Sequence, residues 1–122
     1  MSEIAHSNRQ ITFFYSSDSI RAKKALAYAQ AEGYPIREID ILKTKLTGTQ
    51  LLELANSLNT RIEELVNPDH PMYKTQFDKH DFSEIDWIKM IQKHPEILKQ
   101  PIAMLGEKSV LVETPTDIFK LS

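Results

Sequence analysis

The sequence contains no cysteine. That absence removes disulfides, iron–sulfur clusters, zinc–thiolate sites and every mechanism that needs a thiolate. An excess of one charge is lacking too. A net charge of −2 leaves no global basic field to draw the chain to nucleic acid or to an anionic membrane. No apolar run approaches membrane-spanning length, and the opening Met1-Ser2-Glu3-Ile4-Ala5-His6 is too polar and acidic for a secretory signal. Internal repeats, linkers and low-complexity stretches are absent. These absences predict a cytoplasmic protein with no membrane attachment and no direct nucleic-acid contact.

What is present fits one domain over residues 1–122, with 41% hydrophobic and 26% charged residues, the balance of an ordinary globular chain. Residues 1–9 carry no periodic pattern and are expected to be a flexible tail. Ile11-Thr12-Phe13-Phe14-Tyr15 reads as a buried strand, broken by Ser16-Ser17-Asp18. Ala22, Ala25, Leu26 and Ala29 then mark one helix face, with Asp18 or a neighbouring serine as cap and Glu32-Gly33 as the end. Pro35 to Asp40 alternates as a second strand, and so short a strand–helix–strand unit implies a right-handed parallel crossover.

The middle of the chain reads as helical. Thr47-Gly48-Thr49-Gln50 and Thr60-Arg61-Ile62-Glu63 both have the capping-box form. Ser83-Glu84-Ile85-Asp86 opens a third helix, with Ile85, Ile88 and Ile91 expected to face inward. Ile102 to Leu105 and Val110 to Val112 flank Gly106-Glu107-Lys108 as a hairpin. Thr114-Pro115 starts a closing helix with Thr114 as N-cap. The order is βαβ, a helical block, then ββα. That is an α/β, thioredoxin-like plan: a mixed four-stranded sheet with a helical insertion over about 43–97.

Three stretches carry a family likeness: Tyr15 to Leu26 with its Lys23-Lys24-Ala25-Leu26, His94-Pro95-Glu96-Ile97-Leu98-Lys99-Gln100-Pro101-Ile102, and Thr114-Pro115 before the final helix. In this order and spacing the chain, from Gln10 onward, resembles the ArsC family, which comprises glutaredoxin-dependent arsenate reductases and Spx-type transcription regulators. The stretch before Pro101 is the most specific, since the family typically reads P-x-L-x-x-R-P-I there. The resemblance implies an ArsC-type thioredoxin fold with a cis peptide bond at Pro101 beside the site.

It also shows what has changed. The reductases' nucleophilic cysteine and the first cysteine of the Spx redox pair fall on Ser19, and the second Spx cysteine falls on Ala22. The family's oxyanion-binding arginines fall on Gln100, on Asn67, and on Glu113 or Thr114. Arsenate reduction needs a thiolate to attack arsenic and fixed guanidinium groups to hold the oxyanion. The resemblance therefore implies a degenerate site at Ser19, Gln100 and Pro101, and a protein that works through binding. A Spx-like regulator contacting RNA polymerase is one alternative. A reductase or transferase using a non-thiol set around Ser19 is another.

Ser19 as a nucleophile in its own right would need a histidine base, and nothing aims His6, His70, His80 or His94 at it. Asp18 lies where a substrate anion would approach, and its simpler role is a helix cap. Arg21, Lys23 and Lys24 cluster in the first turns of the helix, where the dipole disfavours cations. They are either a solvated face or a surface for an anion or an acidic partner. Asp69-His70 and His80-Asp81 lack the spacing of a metal site, so neither metal nor cofactor is expected. Trp87, Met90 and Ile91 read as a core stripe.

Overall fold

A computed structural model describes residues 9–77 and 82–121 of the chain. Four strands form one sheet in the order β2-β1-β3-β4. Strand β1 (Ile11–Tyr15) pairs parallel with β2 (Ile36–Asp40) and antiparallel with β3 (Ile102–Leu105), and β3 pairs antiparallel with β4 (Lys108–Leu111). The expected mixed sheet is therefore present, with its first two strands parallel. The expected span of β4 was too late. Its pairing starts at Lys108, opposite Leu105, because Gly106 at φ 59° turns the chain with Glu107 alone as its companion. Val112 lies just past the strand, and its N–H donates to Pro101 O at 2.9 Å.

The pleat sorts the core into two layers. Ile11 and Phe13, with Ala103 and Leu105, face helix α1 (Ile20–Ala31), whose Ala22, Ala25 and Ala29 are buried. Small side chains let this helix sit close to the sheet. The closing segment Pro115–Leu121 packs on the same face through Ile118 and Leu121, and it is a 3₁₀ helix. Asp117 rather than Thr114 closes its start, its Oδ2 accepting from the N–H groups of Glu113 and Thr114, both at 3.0 Å.

Phe14, Ile102 and Met104 point the other way, toward helices α2 (Gly48–Ser57) and α3 (Glu84–Lys93), with Leu51, Leu54, Trp87 and Ile91 in that layer. Thr47 and Ser83 both form complete capping boxes, with Gln50 and Asp86 as reciprocal partners.

Two expectations for the insertion fail. Thr60 opens no box, because its N–H and its hydroxyl both go to Ala55 O, at 2.9 and 3.4 Å, and close the end of α2. The chain runs through Asn59 at φ 57° into a single 3₁₀ turn, Ile62–Leu65, that has no side-chain cap. Ile85 does not face inward. It is 62% exposed, on the opposite side of α3 from Trp87. A π turn, Tyr73–Phe77, occupies the aperiodic stretch. The readings of the tail before Arg9 and of His80-Asp81 lie outside the described residues.

Candidate site at the first turn

The site begins where β1 ends. Five backbone N–H groups of the turn into α1 already have acceptors within the protein. Ser16 N–H donates to Gln100 Oε1 at 3.1 Å, Ser17 N–H to Asp40 Oδ1 at 3.4 Å, and Asp18 N–H to Ser16 Oγ at 3.3 Å. Ser19 N–H donates to Ser16 O at 3.0 Å, and Ala22 N–H to Ser19 Oγ at 3.1 Å. A turn at a helix N-terminus can cradle an anion when such groups are free. Here these five are engaged, which leaves the N–H groups of Ile20 and Arg21, at the first two positions of α1, without an acceptor among the described residues.

Ser19 is thus the N-cap, and Asp18, the other candidate, is an exposed neighbour. Among the described residues, the Ser19 hydroxyl has no histidine partner. His70 Nδ1 accepts from Met72 N–H at 3.1 Å, and His94 Nδ1 lies 3.5 Å from Glu96. Behind the turn, Asp40 also accepts from Leu42 N–H at 3.0 Å. Burial pushes the Asp40 carboxyl up, but the hydrogen bonds from Ser17 and Leu42 and the charge of Lys43 outweigh it and hold it below the usual carboxylate range. Tyr15 donates to Glu38 at 2.9 Å, and burial, followed by that bond, raises its phenol.

The Gln100–Pro101 peptide bond is cis. Just before it, the chain is tied to the segment after the 3₁₀ turn: Val66 bridges Leu98, Lys99 N–H donates to Leu65 O at 2.7 Å, and Asn67 N–H donates to Ile97 O at 2.8 Å. This clamp brings residues from four parts of the chain around one cleft of about 420 Å³. Gln100 and Asn67, where the resemblance places arginines, line it, as does Glu113, one of the two residues offered for the third; Thr114 does not. Of the surface candidates, Arg21 lines it, while Asp18, Ser19, Lys23 and Lys24 do not. Lys99, Asp69 and Glu96 also line it, although the sequence offers Asp69 only as half of an Asp–His pair and gives Lys99 and Glu96 no site role. Two cations therefore stand among three carboxylates, a poor match for a multiply charged oxyanion.

The sheet order, the cis proline at the head of β3 and the turn facing it together decide the architecture. This is an ArsC-type thioredoxin fold. An arsenate reductase from Vibrio cholerae superposes on the ArsC-type fold of this chain with a TM-score of 0.85 at 14% identity, covering 95% of this chain and all of the other. An arsenate reductase (ArsC) related protein from Brucella melitensis superposes with a TM-score of 0.67 at 17% identity, covering 93% and 94% of the two chains. In sequence the chain is similar to the global transcriptional regulator Spx of Streptococcus mutans, 24% identical over 95 residues that span 77% of this chain and 69% of that one. It is 25% identical to Spx 2 of Lactococcus lactis over 77% of this chain and 72% of that protein. No family model matches. Among the described residues, no group of three histidine, aspartate or glutamate side chains gathers as a metal site, and no helix is long and apolar enough to cross a membrane.

Proposed function

We propose that this ArsC-like protein acts by binding a protein partner and performs no thiol chemistry at the turn. The observation that supports this most directly is the bond from Ser16 N–H to Gln100 Oε1. The side chain in the place of the family's oxyanion-binding arginine is spent on the turn itself. Ser19, in the place of the nucleophile, is likewise spent on the helix cap.

The partner face is the start of α1. Arg21, Lys23 and Lys24 are exposed there, next to Ile20, which is 72% exposed. A bulky apolar side chain ringed by cations suits a partner with an apolar anchor and acidic surroundings. The similarity to proteins named as global transcriptional regulators favours the transcription machinery, RNA polymerase in particular, as that partner.

The test is affinity capture from the native cell, read by mass spectrometry, alongside turnover assays. RNA polymerase subunits are expected with the unaltered protein and should be lost with Arg21→Glu/Lys23→Glu/Lys24→Glu. Capture that the triple variant leaves unchanged would remove this face from the proposal. Turnover of arsenate with glutathione and glutaredoxin would remove the proposal itself.

A further inference from the structure

A second concavity lies on the other side of Leu98 from the cleft. Leu46, Leu51, Ile91 and Leu98 supply apolar lining, and Lys43 and Lys45 supply the only charges among its lining residues. Its walls are fixed in advance. Gln92 Nε2 donates to Leu46 O at 3.0 Å, and the N–H groups of Lys43 and Thr44 donate to Asp40 O at 3.0 and 2.9 Å. Beside the opening, Leu42 leaves 36% of its surface in solvent. The charge of Lys43 is felt by Asp40, while Lys45 has no ion-pair partner among the described residues.

Size decides what such a place can hold. At about 160 Å³ the cavity is smaller than the roughly 300–1,000 Å³ of sites that enclose a free ligand or cofactor. It is close to the roughly 150 Å³ of a cavity that accepts a single benzene ring. One bulky apolar side chain fits, and the chain carrying it would meet two exposed lysines as the only charges of the lining. We infer that the Lys43–Lys45 pocket is a peptide-docking site, which takes one aromatic or large aliphatic side chain from a partner segment with Asp or Glu on either side of that anchor. This inference does not rest on the α1 face, and its test uses different residues.

The probe is a fluorescein-labelled synthetic peptide with one central phenylalanine between aspartates and glutamates, followed by fluorescence anisotropy. Two control peptides replace the phenylalanine by alanine, or the acidic residues by lysines. The first peptide is expected to bind, and each control to bind about tenfold more weakly or not at all. Lys43→Glu/Lys45→Glu, at two exposed positions, should also lower affinity about tenfold, with its melting curve confirming that it is folded. Added salt should weaken binding to the unaltered protein. Amide shifts in ¹⁵N spectra should change around Leu42 to Leu46 and Ile91. Arg21→Glu/Lys23→Glu/Lys24→Glu should bind the peptide normally. No binding, equal binding of the phenylalanine and alanine peptides, unchanged affinity of the Lys43/Lys45 variant, or shifts confined to the cleft around Gln100 would each overturn the inference.

Discussion

Ser19→Cys tests whether a missing sulfur alone separates this chain from a reductase. The thiol would sit at the start of α1, where the helix dipole favours a thiolate. Asp18, the next residue, would oppose the second negative charge. The substitution also removes the oxygen that accepts from Ala22 N–H, which costs about 1 kcal/mol of stability, a loss the fold should survive. The larger obstacle is the cleft. Gln100, Asn67 and Glu113, to which the resemblance assigns three oxyanion-binding guanidinium groups, line it. Charge-assisted hydrogen bonds contribute about 1.5–3 kcal/mol each, so their absence removes about 4–9 kcal/mol. That is roughly three to seven powers of ten in rate. We therefore expect no measurable steady-state arsenate reduction by Ser19→Cys with glutathione and glutaredoxin supplied, and only partial recovery on adding Gln100→Arg. Turnover by the single variant at a rate comparable to a true reductase would refute this reasoning, because the cleft would then be competent as it stands.

Three further outcomes are expected. Ile91→Ala should destabilise by about 2–5 kcal/mol in chemical denaturation, while Ile85→Ala on the outer side of the same helix stays within about 0.5 kcal/mol; similar losses would contradict the placement of Ile85 in solvent. Hydrogen bonds from Thr114 and Lys120 hold the Asp117 carboxyl at about 2, below its ordinary 3.8, so its stabilising effect is complete above 3.8 and fades as pH falls toward 2. Asp40 and Asp86 shift in the same direction; the melting temperature should drop through that window, and less steeply in Asp117→Asn, whereas equal acid slopes would count against the assignment. Gln100→Ala leaves Ser16 N–H without its acceptor and should cost about 1 kcal/mol, with faster amide exchange at Ser16; unchanged exchange there would show that the bond contributes nothing.

The elements that could be read from sequence are those fixed by near neighbours. The β1–α1–β2 unit and the boxes at Thr47 and Ser83 depend on residues a few positions apart, and all are present. Thr60 has an equally good box on paper and fails because a carbonyl five residues back, that of Ala55, takes its donors. Ile85 was misassigned through a drift in phase. At about 100° per residue, six positions leave it about 120° away from Ile91, while Trp87 lies on the buried side with Ile91. The cleft is the opposite case. Family likeness points to Gln100, Asn67 and Glu113, but the segments 67–69 and 96–100 meet through the Val66–Leu98 bridge and the two hydrogen bonds beside it, across about thirty positions of chain. No local pattern announces a contact of that range.

The bond between Gln100 and Ser16 also limits which side chains position 100 can hold without rearranging the turn. A carboxamide can accept a hydrogen bond, whereas a guanidinium carries donors alone. Arginine at position 100 could not take the Ser16 N–H, and would direct positive charge at a turn whose dipoles already point outward. An arginine there is therefore incompatible with the turn as it stands. Gln100→Arg alone would leave Ser16 N–H without its acceptor and lower stability, so the glutamine is part of what holds the turn.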